Sequence, residues 1–282
     1  MNDALVRTEN LSKKFKADFV LKDVNLSLDR GKIYALVGEK NAGKSTLLSL
    51  LSGLIKPSSG NVTSNADNSA FIIESPAIID EMTVFDNMKT RCMLTGSPFS
   101  DIDALLTIVN LYEKSKIKAK KLTKSDKYSL GIALEFLSKP DFLALDEPFD
   151  VDIVMKIHSS NQTLLLTGEN LSDYAKIADE FIIIHNGKII KNITKEYLLT
   201  QVRDAFCLSV SDPDAAIRIL DVKLGIKNAD VEDGYLIVYN QNNNINVVSQ
   251  VLSENAVRIY HTKHFHSSYE EYYNTLIGGD EI

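Results

Sequence analysis

The sequence predicts a mainly parallel α/β domain followed by a smaller α+β domain. Three features carry that prediction. Short apolar runs with strand character alternate with segments of helical periodicity through about residue 200. A glycine-rich turn, Gly38 to Ser45, joins one such run to a helical segment. After about residue 203 the order of strands and helices takes a different rhythm.

Taken in order, Leu5–Thr8, Phe19–Leu21 and Val24–Leu28 read as strands, with a turn at Asp29-Arg30-Gly31. Lys32–Val37 reads as a buried strand ending at Gly38. From Lys44 to Leu54 apolar residues recur at helical spacing, and Gly53 and Pro57 mark the exit. Residues 61–73 return to strand. Residues 83–138 are mostly helical, with a break at Gly96-Ser97-Pro98. Phe142–Leu145, Thr163–Thr167 and Phe181–Ile184 are three further buried strands, the last turning through Asn186-Gly187-Lys188. Beyond them, strands at Phe206–Val210, Tyr235–Tyr239 and Val257–Tyr260 alternate with helices at 212–224, 245–252 and 268–277, an order β-α-β-α-β-α. The domain boundary is expected at 202/203 and the helical part of the first domain at about 75–140.

The 282 residues suffice for one large domain and one small one. Hydrophobic residues are 44% and charged residues 24%, an ordinary balance for a soluble globular protein. Lysine and arginine total 31 against 38 acidic residues, a net charge of −7, which disfavours a nucleic-acid partner. Cys92 and Cys207 have no metal-ligand spacing and fit a reducing compartment. No apolar run approaches the roughly 18 residues of a membrane span. Met1-Asn2-Asp3-Ala4 shows no basic stretch leading into an apolar one, as a secretory signal would. Work at a membrane would need a partner that supplies the spans. No internal repeat is visible, and Asn242–Asn244 is too short for low complexity. His261, His264 and His266 invite a metal reading, but on a strand 264 and 266 share a face while 261 points away.

Gly38-Glu39-Lys40-Asn41-Ala42-Gly43-Lys44-Ser45 fits G-x-x-x-x-G-K-[ST]. The chemistry demands these types. Glycines let the backbone fold around phosphates, the N–H groups point inward, and the helix that follows adds its positive end. Lys44 reaches the β- and γ-phosphates and Ser45 ligates Mg²⁺. A chance match would occur roughly once in a hundred chains of this length, and this one also has the required strand before it and helix after it. ATP and Mg²⁺ are therefore the expected ligands. Phe142-Leu143-Ala144-Leu145-Asp146-Glu147-Pro148 supplies the other half of such a site: an apolar strand delivers carboxylates at its C-terminal end, where α/β sheets bind ligands. Asp146 is placed to hold Mg²⁺ and Glu147 to polarise the attacking water.

With both motifs in place, the sequence resembles ABC transporter ATPases over about residues 3–200. Leu36 through Leu48 matches that family's phosphate loop, with Asn41 where glycine is usual; Asn87 falls in a common motif of the helical region; Asp179 through Ile189 matches the last core strands. The resemblance implies a P-loop NTPase fold of the ABC type, with an antiparallel β subdomain and a helical subdomain. It implies that Phe15 stacks on adenine, that Gly38, Asn41, Ala42, Gly43, Lys44, Ser45 and Thr46 bind phosphate, and that Glu147 and Lys44 are catalytic. Glu74, in Ile72-Ile73-Glu74-Ser75-Pro76, stands where most members carry a glutamine that links Mg²⁺ and water to the membrane partner. Glutamate at that place and a proline after it make the chain most similar to the lantibiotic and bacitracin-type export and immunity group, where a C-terminal accessory domain is also common. Ser45, Glu74 and Asp146 are the expected metal ligands. The implied partners are an integral-membrane permease and a second ATPase copy, in a homodimer or heterodimer, on the cytoplasmic face of a bacterial membrane. Neither the coiled-coil insertions nor the tandem second domain of DNA-repair or translation members are visible in the sequence.

Three departures stand out. The family's L-S-G-G-Q signature corresponds to Leu122-Thr123-Lys124-Ser125-Asp126, so both glycines are lost. Two readings are open: Lys124 meets a phosphate as a point charge, or the segment is a solvated helix start. Glu169 takes the place of the switch histidine and so joins Glu147 and Lys44 as an expected catalytic residue. An ionised carboxylate cannot donate a hydrogen bond, and two like charges at about 4 Å repel by about 4 kcal/mol at an effective dielectric near 20. Glu169 must turn away, be protonated, or share a cation. Finally, Phe149-Asp150-Val151-Asp152 matches the dimer loop only loosely, and the helix after it is short by roughly two turns. The expected function is an ATPase that drives a permease and turns over slowly; the alternative is a regulatory nucleotide-binding module paired with an active ATPase.

Overall fold

The computed structural model describes residues 4–202, 204–232, 234–239, 245–266 and 268–278. Met1–Asp3 and Asn242–Asn244 lie outside the described residues. The chain divides into two compact units between Lys195 and Glu196.

The first unit opens with a long hairpin, β1 (Ala4–Phe15) and β2 (Asp18–Asp29), longer than the separate short strands expected. Leu5, Leu11, Leu21 and Leu28 are buried along it. β3 (Ile33–Val37) is buried at every residue and runs into the phosphate loop and α1 (Lys44–Leu51). β4 (Ser59–Ser64) joins β1 and β2 in an antiparallel sheet of order β2-β1-β4. β5 (Ser69–Ile72) leads to the helical part, which holds α2 (Val84–Thr95), α3 (Asp101–Ile108) and α4 (Lys124–Phe136). Asn87, buried in α2, ties the preceding loop to the helix: its side-chain oxygen accepts from the Ile79 N–H at 2.8 Å, and its amide donates to the Ile79 and Thr83 carbonyls. That buried amide is fully used in holding backbone.

β6 (Phe142–Leu145), α5 (Val151–Ile157), β7 (Thr163–Gly168), α6 (Leu171–Tyr174), β8 (Glu180–His185) and β9 (Lys188–Thr194) complete the unit. The main sheet has the order β5-β6-β7-β3-β8-β9, parallel except for β9. Buried runs such as Leu164-Leu165-Leu166 and Ile182-Ile183-Ile184 are those of strands covered on both faces. The register sets Leu145 beside Leu166 and Val37 beside Gly168. The C-terminal ends of β6, β7 and β3 therefore emerge together, and the residues after them meet at one edge. α5 is short, seven residues capped by Asp150.

The second unit begins in α7 (Lys195–Gln201). It continues with β10 (Asp204–Val210), α8 (Pro213–Leu224), β11 (Ala229–Glu232), β12 (Tyr235–Tyr239), α9 (Ile245–Glu254), β13 (Ile259–His266) and α10 (Tyr269–Gly278). The sheet is antiparallel, of order β11-β12-β10-β13. This is the β-α-β-β-α-β arrangement of a split βαβ unit, and it corrects the expected β-α-β-α-β-α order. The added strand, β11, is a four-residue edge strand, Ala-Asp-Val-Glu, with no apolar run to announce it. Phe206, Leu208, Leu236, Val238, Leu220 and Leu252 form this unit's own core. Among the described residues no group of three or more His, Cys, Asp or Glu side chains could hold a metal ion, and none of the helices is long and apolar enough to cross a membrane.

Candidate nucleotide site

The residues after β3, β6 and β7 enclose a cavity of about 980 Å³. Its phosphate-loop wall holds Asn41, Gly43, Lys44, Ser45 and Thr46. Its opposite wall holds Glu74, Asp146, Glu147 and Glu169. Sequence positions up to 128 residues apart (169 − 41) thus converge as the motifs require.

The loop's geometry follows from its sequence. Gly43 caps α1 at φ 108°, a backbone angle that excludes other residues. Asn41 sits at φ 67°, in the left-handed region that asparagine tolerates, which is how the chain manages without the usual glycine. Gly38 and Ala42 are not in the cavity wall but hold the loop's shape: Gly38 donates to the Gly168 carbonyl at 3.1 Å, and Ala42 donates to Glu39 and accepts from Gly187. A side chain on Gly38 would meet the Ile184 carbonyl at 2.3 Å. The Lys44 ammonium is buried and donates to the Gly38 carbonyl at 2.5 Å and the Glu39 carbonyl at 3.1 Å. It is held inside the cradle, next to where phosphate oxygens would take over those bonds.

On the other wall Asp146 is buried, and its Oδ1 accepts from the Thr167 hydroxyl at 2.7 Å. The same hydroxyl oxygen accepts from the Glu147 N–H at 3.2 Å. Thr167 therefore orients both acidic residues, a role the sequence did not disclose. Glu147 is half-buried. Burial raises its carboxyl above the ordinary range; Lys44 opposes that, while the neighbouring Glu169 adds to it. Tyr174 reaches the same carboxylate, its hydroxyl 3.4 Å from Oε1. The Glu169 side chain is exposed to the cavity, and its backbone N–H also supports Glu147.

Phe15 lies on the β1–β2 hairpin, 48% exposed, with the Lys13 ammonium 5.1 Å from its ring centre. It is not part of the cavity wall, to which the hairpin contributes Val20.

The altered signature segment starts α4. Lys124 lines the cavity, facing the residues of its own chain. Asp126 turns back on the helix: Thr123 and Asp126 form a reciprocal capping box, and Asp126 takes two bonds from Lys114 at 2.7 and 2.8 Å. Burial works to raise the Asp126 carboxyl, but the bonds from Lys114 and Thr123 outweigh it and leave it below the ordinary range. A folded-state value below the unfolded one stabilises the helix start above the ordinary aspartate range, and that stability is lost as pH falls through the lowered value. Asp126→Asn is expected to flatten this acid limb in thermal unfolding followed against pH, and to cost about 1 kcal/mol near neutrality through the weakened cap.

The same residues carry the comparison with known proteins. The family model described as "ABC transporter" matches residues 21–150. The lantibiotic transport ATP-binding protein SrtF of Streptococcus pyogenes is 32% identical over 211 residues, covering 68% of this chain and 91% of that protein. The chain belongs to the ABC transporter ATP-binding proteins. The bacitracin transport ATP-binding protein BcrA of Enterococcus faecalis is 26% identical over 301 residues and matches 99% of this ABC protein and 98% of itself. A solved structure described as the ATP binding subunit of an ABC transporter superposes with a TM-score of 0.63 at 25% identity, over 70% of this chain and 92% of that one. The likeness to the lantibiotic and bacitracin group, read from Glu74 and the proline after it, is borne out. ABC proteins of this kind bind and hydrolyse ATP and work in pairs beside membrane permeases.

Proposed function

We propose that this chain is the slow ATP-hydrolysing subunit of a transporter that exports, or confers immunity to, a peptide, coupled to a separate membrane permease at the cytoplasmic face. The observation that carries this reading is one cavity that unites Lys44 and Ser45 with Asp146 and Glu147. The relatives' names, bacitracin and lantibiotic transport, support a peptide cargo. The first compact unit is assigned to the ATP-binding domain and the second to the accessory domain.

The loop N–H groups and the positive end of α1 receive the phosphates, and Lys44 exchanges its carbonyl partners for phosphate oxygens. The oxygen donors Ser45, Asp146 and Glu74 line the same cavity and fit Mg²⁺, which binds through one or two carboxylates together with phosphates. When bound, the ion neutralises charge on the β- and γ-phosphates. Glu147 polarises the attacking water, and its raised pKa makes it a stronger base. Phe15 is assigned to adenine.

Coupling to the permease runs through Glu74. The Tyr128 hydroxyl of α4 donates to the Glu74 carbonyl, and Pro76 packs so tightly on α4 that a side chain on Gly131 would meet it at 2.2 Å. The Glu74 loop is therefore both hydrogen-bonded to α4 and packed on it.

Slow turnover follows from three substitutions. Lys124 and Ser125 replace the glycines that let backbone approach a phosphate, and Glu169 replaces a donor with an acceptor. Glu169→His is expected to raise phosphate release more than tenfold, the gain when a relief of about 2 kcal/mol acts only in the transition state. Phosphate release by wild type and variant, each alone and with a partner ATPase, is the measurement. Absence of a gain in both settings would contradict Glu169 as the limiting switch residue.

A further inference from the structure

The first unit holds a second cavity, of about 360 Å³, at the C-terminal ends of α4 and α5. Both helices reach it from the nucleotide cavity. The first residue of α4, Lys124, lines the nucleotide cavity, and its last, Phe136, lines this one. The same holds for α5, with Val151 at the nucleotide end and Ile157 here. The lining is mostly apolar: Ala104 and Leu105 come from α3, and Pro140 follows α4. Phe136 and Pro140 are buried. Gln162 in the lining is 5% exposed, and its amide donates to the Pro140 carbonyl at 2.8 Å. That bond ties the turn after α4 to the residue before β7. Asp101 and Lys139, also in the lining, pair at 3.3 Å.

We propose that this cavity binds a small, neutral, largely apolar molecule, and that its occupancy is felt at the nucleotide cavity through α4 and α5. The coupling rests on the ATP site proposed above; the binding itself does not. Three observations set the chemistry of the ligand. The volume falls within the roughly 300–1,000 Å³ of small-molecule sites, and it leaves no room for a peptide helix about 10 Å across. The apolar walls gain in proportion to the area that a ligand removes from water. Asp101 and Lys139 are the only charged groups among the described lining residues, and they already neutralise each other. A charged ligand would have to break that pair or lie unpaired against apolar groups, which is costly. Ser159, exposed in the lining, presents one hydroxyl that can donate or accept, so a single polar group on the ligand is accommodated. A body seated between the ends of α4 and α5 bears on two helices whose other ends carry Lys124 and follow Asp146-Glu147. Close-packed helices pass such strain along rather than absorb it.

The probe is N-phenylnaphthylamine, a neutral molecule whose fluorescence rises in apolar surroundings, added to the full-length protein. Saturable binding at a single site is expected. Its analogue anilinonaphthalene sulfonate adds one negative charge and is expected to bind at least about tenfold more weakly. Ala104→Phe and Ser159→Trp fill the cavity from α3 and from the loop after α5. Both positions are exposed, so neither variant disturbs the core. Each is expected to weaken the neutral probe at least about tenfold. The second readout is calorimetric titration with ATP and Mg²⁺. Saturating probe is expected to change the ATP dissociation constant about fivefold in wild type and not in Ala104→Phe, and ATP changes the probe affinity by the same factor. Absence of saturable binding, equal binding in both variants, or preference for the sulfonate overturns the site. Saturable binding that leaves ATP affinity unchanged overturns the coupling. If neither wild type nor variant bound ATP, the proposed nucleotide site would fail, and the probe titration would still decide the second cavity.

Discussion

Glu147→Gln lowers ATP turnover at least 100-fold while ATP binding is kept. The carboxylate is half-buried and oriented through its backbone by Thr167. Its raised pKa suits it to take a proton as water attacks the γ-phosphate. The amide has the same shape and no basicity, so the loss falls on kcat and not on KM. It also removes one negative charge beside Glu169, so ATP binds the variant as tightly as wild type or tighter. Steady-state phosphate release, with the ATP affinity of both proteins measured by calorimetry, checks the two parts separately. A variant with wild-type turnover would take Glu147 out of the reaction.

Lys44→Ala raises the ATP dissociation constant between roughly tenfold and a hundredfold, the loss expected when a buried, charge-assisted set of hydrogen bonds to phosphate is removed. The effect on the protein without ligand is smaller. Lys44 makes its bonds to the Gly38 and Glu39 carbonyls inside the loop, so the variant loses some order there but no core packing. Calorimetric titration with ATP and Mg²⁺ is the check. Equal affinity in wild type and variant would mean that the loop does not hold the phosphates.

Why some of this was legible in the sequence and some was not has a physical cause. The phosphate loop is contiguous, and its glycines, lysine and serine are dictated by local backbone geometry, so Gly38–Ser45 announces itself. Asp146 and Glu147 are announced by the apolar strand that delivers them. Thr167 is not, because its task exists only across strands: it acts from β7 on the carboxylate that β6 delivers. The capping box at Thr123 and Asp126 was legible as T-x-x-D, and the structure shows the aspartate serving its own helix with Lys114. That Lys124 faces the cavity of its own chain depends on how α4 packs against α2, β5 and α5, which no local pattern encodes. In the second unit β11 escaped notice because a charged edge strand carries no apolar alternation.

ATP with Mg²⁺ is expected to bind in the cavity between α1 and the ends of β6 and β7. The most direct test of that binding is the melting temperature of the wild-type protein with and without saturating ATP and Mg²⁺. At about 100 times the dissociation constant a ligand that binds only the folded state adds about 2.7 kcal/mol, which for a domain of this size raises the melting temperature by about 5–10 °C. That rise is expected in wild type, and about half of it or less in Lys44→Ala at the same nucleotide concentration. An unchanged wild-type melting temperature at saturating nucleotide, or an equal rise in Lys44→Ala, would contradict binding there.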